Sequence, residues 1–390
     1  MAVRLLNAEV SDLCLGKPEL ICVAANASIA DALAKLRASE DTHVGVWVCS
    51  GEIAGGSCRC VGKFSVADVT LFLCREENLA DPFKALQSPV SDVLPKGLSV
   101  VRHLESNSSL WEAIGCILEG AQNLVVPIHS HLINNTSRKR FLNRQQSPSS
   151  CVHNNGRLYC WLTQEDVVRF LFNFIGVFSP IPTQTVESLG IIDPDVMAVA
   201  YNKPASSALE FFERAIKEQR PVAVMDEENR LIGEISPVAL ACCDETAAAT
   251  IMALPAVDLM AHIDCGGTPL DLVQLVKMKL KESNLEGMLE LMDEFRNSLT
   301  SPSSSSSCSS DDESSPGKGS WSCKSRNSPG RRSEAISCSP GSSLAAVMIQ
   351  ALSNRVSSVW VVEEDQTLAG IIPFTGILRA FLSIPLGKPL

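Results

Sequence analysis

The chain has 390 residues, 45% of them apolar but only 5% aromatic, so a large core has to be built from aliphatic side chains. A formal net charge of −11 disfavours broad contact with nucleic acid or an anionic membrane. No run approaches the ~20 apolar residues of a membrane span, and residues 1–20, carrying Glu9 and Asp12, resemble neither a secretory signal nor a transit peptide.

Taken in chain order, one pattern recurs four times: a short strand, a Ser-bearing turn, an amphipathic helix, two strands and a second helix. Copy one, over 7–86, has a strand at 21–23. A capping box of Ser28 and Asp31 then opens a helix carrying Ile29, Ala32, Leu33 and Leu36. Strands follow at 44–48 and from Val61 towards Ser65, with a Gly-rich turn between them and a closing helix over 69–74. Copy two, over 87–178, places its strand at 98–101, a second box at Ser109 and Glu112, strands at 124–128 and 158–162, and a helix over 167–172. Its inner turn carries a polar insertion over 129–157.

Copy three, over 179–250, has a strand at 197–199, a helix capped by Ser207, strands at 222–224 and 231–235, and then Ser236-Pro237. Copy four, over 251–390, opens its helix at Ser343 after a strand at 337–339. Strands at 359–362 and 368–372 and a helix over 377–382 finish it. Before that helix lie a helical insertion at 268–299 and a Ser-rich loop at 300–340, which lacks the apolar residues for a core and is expected to be disordered. Strands alternating with helices predict an α/β fold, with four units of about equal design.

The end of each unit carries the chemistry. Copy one has Gly62-Lys63-Phe64-Ser65-Val66-Ala67-Asp68 and copy two has Cys160-Trp161-Leu162-Thr163-Gln164-Glu165-Asp166. This order resembles the Gly-apolar-apolar-Ser/Thr-x-x-Asp signature of the cystathionine-β-synthase (CBS) domain, with Lys63 at an apolar position and Cys160 replacing Gly. The fourfold recurrence is similar to soluble plant proteins with four such repeats, and through them to the γ regulatory subunits of AMP-activated and sucrose-non-fermenting-type kinases. The resemblance implies two pseudo-two-fold modules, copies one with two and three with four. Those modules pair either within one chain or in a homodimer.

The resemblance also implies clefts for AMP, ADP, ATP or another adenosyl ligand. Asp68 and Asp166 would take the ribose hydroxyls, while Ser65 and Thr163 would bond ribose or phosphate. Near the inner strands, His43, Arg220 and Arg355 stand where the γ class has basic residues, whereas copy two offers only Leu124 and Val125. Copies three and four have Ala239 and Gly376 at the acidic position, so binding is expected in the first module alone. Asp68 and Asp166 also read as plain helix caps.

Other signals are weaker. Fifteen cysteines without paired CxxC or His spacing predict reduced thiols that pack as small apolar side chains, and no metal site. Six histidines sit outside any recognisable nucleophile or metal motif, and neither GxSxG, a phosphate loop nor HExxH occurs, so a non-catalytic protein is expected. The basic run Arg138-Lys139-Arg140 leaves the nucleus open beside a cytoplasmic location. Ser310, Ser315 and Ser328 match kinase consensus patterns in the Ser-rich loop.

Two functions follow as expectations. One is an adenine-nucleotide sensor that modulates a partner enzyme, a kinase or a metabolic enzyme. The other is an interaction scaffold with no small ligand, regulated by phosphorylation of the loop.

Overall fold

The computed structural model describes residues 5–39, 41–49, 58–95, 101–128, 157–265, 268–300 and 333–382. These form four three-stranded sheets of identical topology: β1-β2-β3, β4-β5-β6, β7-β8-β9 and β10-β11-β12. In each, the first strand lies parallel to the second and the second antiparallel to the third. The strands are β1 Cys22–Ala24, β2 His43–Cys49 and β3 Cys58–Ser65, then β4 Val101–His103, β5 Asn123–Ile128 and β6 Leu158–Thr163. The second half repeats this with β7 Ala198–Ala200, β8 Val222–Met225 and β9 Leu231–Ile235, then β10 Ser337–Cys338, β11 Ser358–Val362 and β12 Leu368–Pro373.

The parallel step forces a crossover helix in every unit. These are α1 Ile29–Ala38, α3 Leu110–Leu118, α5 Leu209–Glu218 and α11 Leu344–Asn354; each unit closes on α2 Val66–Leu73, α4 Gln164–Asn173, α6 Pro237–Ala241 or α12 Phe374–Leu382. Ser28, Ser109 and Ser343 accept from the third helical N–H as the sequence predicts. Ser207 does not cap its helix. It lies in a 3-10 turn, Ala205–Ala208, and donates to the Pro204 carbonyl; α5 instead ends on Gln219 in the left-handed region.

Several boundaries differ from those expected. The closing helices of copies one, two and four begin three residues earlier than expected, directly after Ser65, Thr163 and Pro373. Of the strand expected at 98–101, residues 98–100 lie outside the described residues, and Val101–His103 pair in parallel with Asn123, Leu124 and Val125. The boundary at 250/251 falls inside α7 Thr246–Ala253, which leads into α8 Ala256–Cys265, α9 Leu270–Glu282 and α10 Glu286–Thr300. Finally, the Ser-rich segment is folded from Ser333 onwards, where Asp264 and β11 supply partners for its backbone.

Among the described residues, four hydrophobic clusters hold the fold together. Sheets of copies one and two meet through Leu20, Cys22, Trp47, Cys60, Val101 and Val125. Those of copies three and four meet through Ala223, Trp360 and Ile371. Each pair is one module, as the resemblance implies. The modules then join by their helices: copy one packs on copy three, with α2 against α5 and α6, and copy two packs on copy four, with α4 against α12. This pairing of modules is achieved within a single chain.

The helical insertion covers one side of this assembly. Val273, Val276, Leu280, Met288, Leu291 and Met292 extend the core shared by copies one and three. Gly287 lets α10 approach the turn at Ala80, whose carbonyl oxygen would lie 2.4 Å from any Cβ there.

Candidate functional site

The signature glycine has a steric reason in this fold. A Cβ on Gly62 would meet Leu94 at 2.6 Å; one on Gly233 would meet Met260, and one on Gly370 would meet Ile192 at 2.7 Å. In each copy a neighbouring segment lies flat on the third strand. Copy two tolerates Cys160 because the small side chain of Cys14 faces it, and both thiols are buried.

Two residues after that glycine's neighbour comes the Ser or Thr that starts the closing helix. Asp68 Oδ2 accepts from Ser65 N at 2.8 Å and Ser65 Oγ at 2.6 Å. Asp166 Oδ2 accepts from Thr163 N and Thr163 Oγ1, each at 2.7 Å. Both pairs are therefore reciprocal helix caps in this structure. Asp166 has a further partner that sequence reasoning missed: Lys17 Nζ donates to it at 2.5 Å and to the Trp161 carbonyl at 2.9 Å. Nothing in the sequence flags Lys17, because 149 residues separate it from Asp166.

The surroundings of the two acidic residues in the first module differ. Beside Trp161 lies a cavity of about 90 Å³ bounded by Lys17, Leu20, Asp41, His43 and Trp161. The rings of His43 and Trp161 stand 6.2 Å apart. On the other side, Ser65 and Asp68 adjoin Lys63. Burial raises the Asp68 carboxyl above its usual range, opposed by the Ser65 hydrogen bonds and by Lys63. Burial lowers the Lys63 ammonium, with Asp68 acting the other way. His43 is held well below its ordinary value by burial and by the Lys63 charge, so it is neutral near pH 7.

Strand register refines the expected basic positions. His43 pairs with Ser65 and Asn123 pairs with Thr163, so Asn123, and not Leu124 or Val125, is the polar residue that opens the inner strand of copy two. It is 2% exposed, and its Nδ2 finds no acceptor among the described residues. Arg220 in copy three is committed elsewhere, donating to Asp193 at 3.1 Å and to the Asp195 carbonyl at 2.6 Å.

The second module lacks the acidic anchors, and neighbouring segments lie close over its third strands. In copy three, Ser236 caps α6 by accepting from Ala239 N, with no carboxylate beside it. Met260 and the Ser333 carbonyl cover Gly233, Glu234 N donates to that carbonyl, and Ser333 is held by Asp264. In copy four the backbone of Asp193 pairs with Ile371, and the Ile191 carbonyl oxygen lies 3.1 Å from where a Cβ on Gly376 would stand. A side chain there would crowd that carbonyl, a contact the glycine avoids.

The remaining expectations fall as follows. Ser310, Ser315, Ser328, Arg138-Lys139-Arg140 and the 129–156 part of the insertion lie outside the described residues. Reduced thiols hold for ten described cysteines, most of them buried. They fail for Cys49 and Cys58, which pair directly across β2 and β3 and form a disulfide. The antiparallel register brings them together, and spacing alone gives no sign of it. No group of three or more His, Cys, Asp or Glu suited to a metal occurs among the described residues, and no described helix is long and apolar enough to cross a membrane.

Comparison with known proteins agrees with this architecture. The CBS domain family matches residues 331–383, the fourth copy. The CBS domain-containing protein CBSX5 of Arabidopsis thaliana is 44% identical over 98% of both chains. The SNF1-related protein kinase regulatory subunit gamma-like PV42b of the same plant is 22% identical over 97% of this chain and 96% of its own. Among solved structures, protein MJ1225 from Methanocaldococcus jannaschii superposes with a TM-score of 0.54 at 15% identity, covering 96% of this chain and 100% of that one. With four units of one topology paired sheet to sheet, and a relative this similar along its whole length, the chain belongs to the CBS domain-containing proteins.

Proposed function

We propose that this protein is a non-catalytic regulator whose first module senses an adenine nucleotide and thereby alters engagement of a partner enzyme. The observation that carries this reading is the asymmetry between modules. Ser65–Asp68 and Thr163–Asp166 stand at both helix starts of the first, while the equivalent acidic positions of the second are Ala239 and Gly376, the latter crowded by the Ile191 carbonyl. A carboxylate beside a hydroxyl at a helix N-terminus suits a ribose diol with a phosphate near the helix dipole. The likeness to a kinase regulatory subunit supports a protein kinase as the partner class.

Binding requires rearrangement. A cavity of about 90 Å³ is smaller than the ~300 Å³ or more of a small-molecule site, so Lys17 must leave Asp166 and residues 17–21 must yield. Calorimetry with AMP, ADP, ATP and S-adenosylmethionine should give saturable binding that falls in Asp68→Ala or Asp166→Ala. A wild-type protein that binds none of them rejects the reading.

The second reading, a scaffold without a small ligand, is favoured by the engagement of both aspartates in caps and by the Lys17 contact. Under it, regulation comes through phosphorylation of Ser310, Ser315 or Ser328. Deleting 302–330 should then abolish partner capture with little change in thermal stability; retained capture rejects it.

A further inference from the structure

Residues 14–21 form a strap tied to both sheets of the first module. Leu20 N donates to the Tyr159 carbonyl of β6 at 2.8 Å, and Gly45 N of β2 donates to the Ile21 carbonyl at 2.7 Å. Cys14 anchors the other end among buried residues, and Gly16, at φ +77°, turns the chain between the anchors. Along the strap Leu15, Gly16, Pro18 and Glu19 are exposed, but Lys17 points inward and its side chain is only 21% exposed.

The Lys17 ammonium donates to Asp166 Oδ2 at 2.5 Å and to the Trp161 carbonyl at 2.9 Å. It joins the Thr163 N–H and hydroxyl on the same carboxylate oxygen, so three donors share Oδ2. Asp68 has no counterpart: among the described residues its carboxylate accepts from Ser65 alone. We propose that Lys17 is an internal latch on the Asp166 side of the first module, a cation that competes with the ribose of an incoming nucleotide for this carboxylate. This inference rests on the adenine-nucleotide reading above and assigns the control of that site.

The physical logic is competition. A ribose diol donates best to both oxygens of one carboxylate, and Oδ2 is free for it only once Lys17 withdraws. The same movement makes room, because Lys17 is part of the wall of the cavity beside Trp161. Withdrawal does not strand the cation, since Glu19 and Asp41 line that cavity too. Opening therefore precedes binding, and the observed affinity is the intrinsic one reduced by the open fraction. A charge-assisted hydrogen bond in a partly buried setting holds the closed form over the open one by about tenfold.

The test is calorimetry and stopped-flow binding of AMP and adenosine to the full chain, as wild type, Lys17→Met and Lys17→Arg. Adenosine carries the ribose without the phosphate, so it reads the contest for Asp166 by itself. Lys17→Met keeps the side-chain length and removes the ammonium; Lys17→Gln replaces it if its melting profile is not native-like. Both compounds should bind Lys17→Met about tenfold tighter than wild type, with the gain in the association rate and dissociation unchanged. Lys17→Arg keeps the charge and should stay within about threefold of wild type. Binding of either compound that is unchanged or weaker in Lys17→Met, or tighter only through slower dissociation, overturns the latch and leaves nucleotide sensing intact. Failure of both compounds to bind wild type and Lys17→Met alike overturns both.

Discussion

Glu234 is a carboxyl 3% exposed at the seam of the second module, and burial pushes its pKa up to about 7, with the Trp360 hydrogen bond opposing. An unfolded glutamate ionises near 4.5. Because the folded value is the higher, the native state binds the proton more tightly. Its contribution is fully present below pH 4.5 and is lost as pH rises through 7. Ionisation of this one side chain therefore costs the fold about 1 kcal/mol at pH 5, rising to about 3 kcal/mol at pH 8. Glu234→Gln keeps an acceptor for Trp360 Nε1 and removes the ionisation. The difference in urea-unfolding free energy, variant minus wild type, should then grow with pH by about 2 kcal/mol between pH 5 and pH 8. Taking the difference cancels titration of Asp68, Asp244, Glu245 and the buried histidines, which are common to both proteins. Parallel stability curves across that range would refute the argument, since they would mean that Glu234 titrates alike in folded and unfolded chains.

Gly287→Ala should lift α10 from copy one, because its Cβ would press on the Ala80 and Leu79 backbone and not on a movable side chain. We expect a loss of about 2 kcal/mol, with faster hydrogen exchange confined to α10 and the turn at Ala80. Arg220→Met removes the donors that hold Asp193 and the Asp195 carbonyl, leaving the strap before β7 untied. Its expected loss is about 2 kcal/mol, since Asp193 is partly solvated, and limited proteolysis near 193–196 should report it. Alkylation under denaturing, non-reducing conditions should leave Cys49 and Cys58 unlabelled until a dithiol is added. Reduction should lower stability by up to about 3 kcal/mol, as expected for a loop of this length. Asp166→Ala should lose about 1–2 kcal/mol through the Thr163 cap, against about 1 kcal/mol for Ser236→Ala, whose cap has no carboxylate.

Local chemistry was enough to write out the repeats. Capping serines at 28, 109 and 343, apolar runs at strand length and the Ser/Thr-x-x-Asp endings act over a few residues, so they are legible in any window of the chain. The same holds for the placement of Ser65, Asp68, Thr163 and Asp166 at helix starts. The error at Ser207 is also local: Pro204 and the following turn take its hydroxyl before the helix begins.

Tertiary structure decided what those residues meet. Lys17 on Asp166, Cys49 opposite Cys58, Asn123 opposite Thr163, Ile191 over Gly376 and Ser333 tied to Asp264 all join segments through sheet register or packing between copies. Spacing along the chain carries no information about such contacts, because they depend on how four units that read alike are turned towards one another. The sequence alone could show that the second module lacks its acidic residues; only the packed fold shows that the Ile191 carbonyl crowds the Gly376 position and that Met260 and Ser333 lie over Gly233.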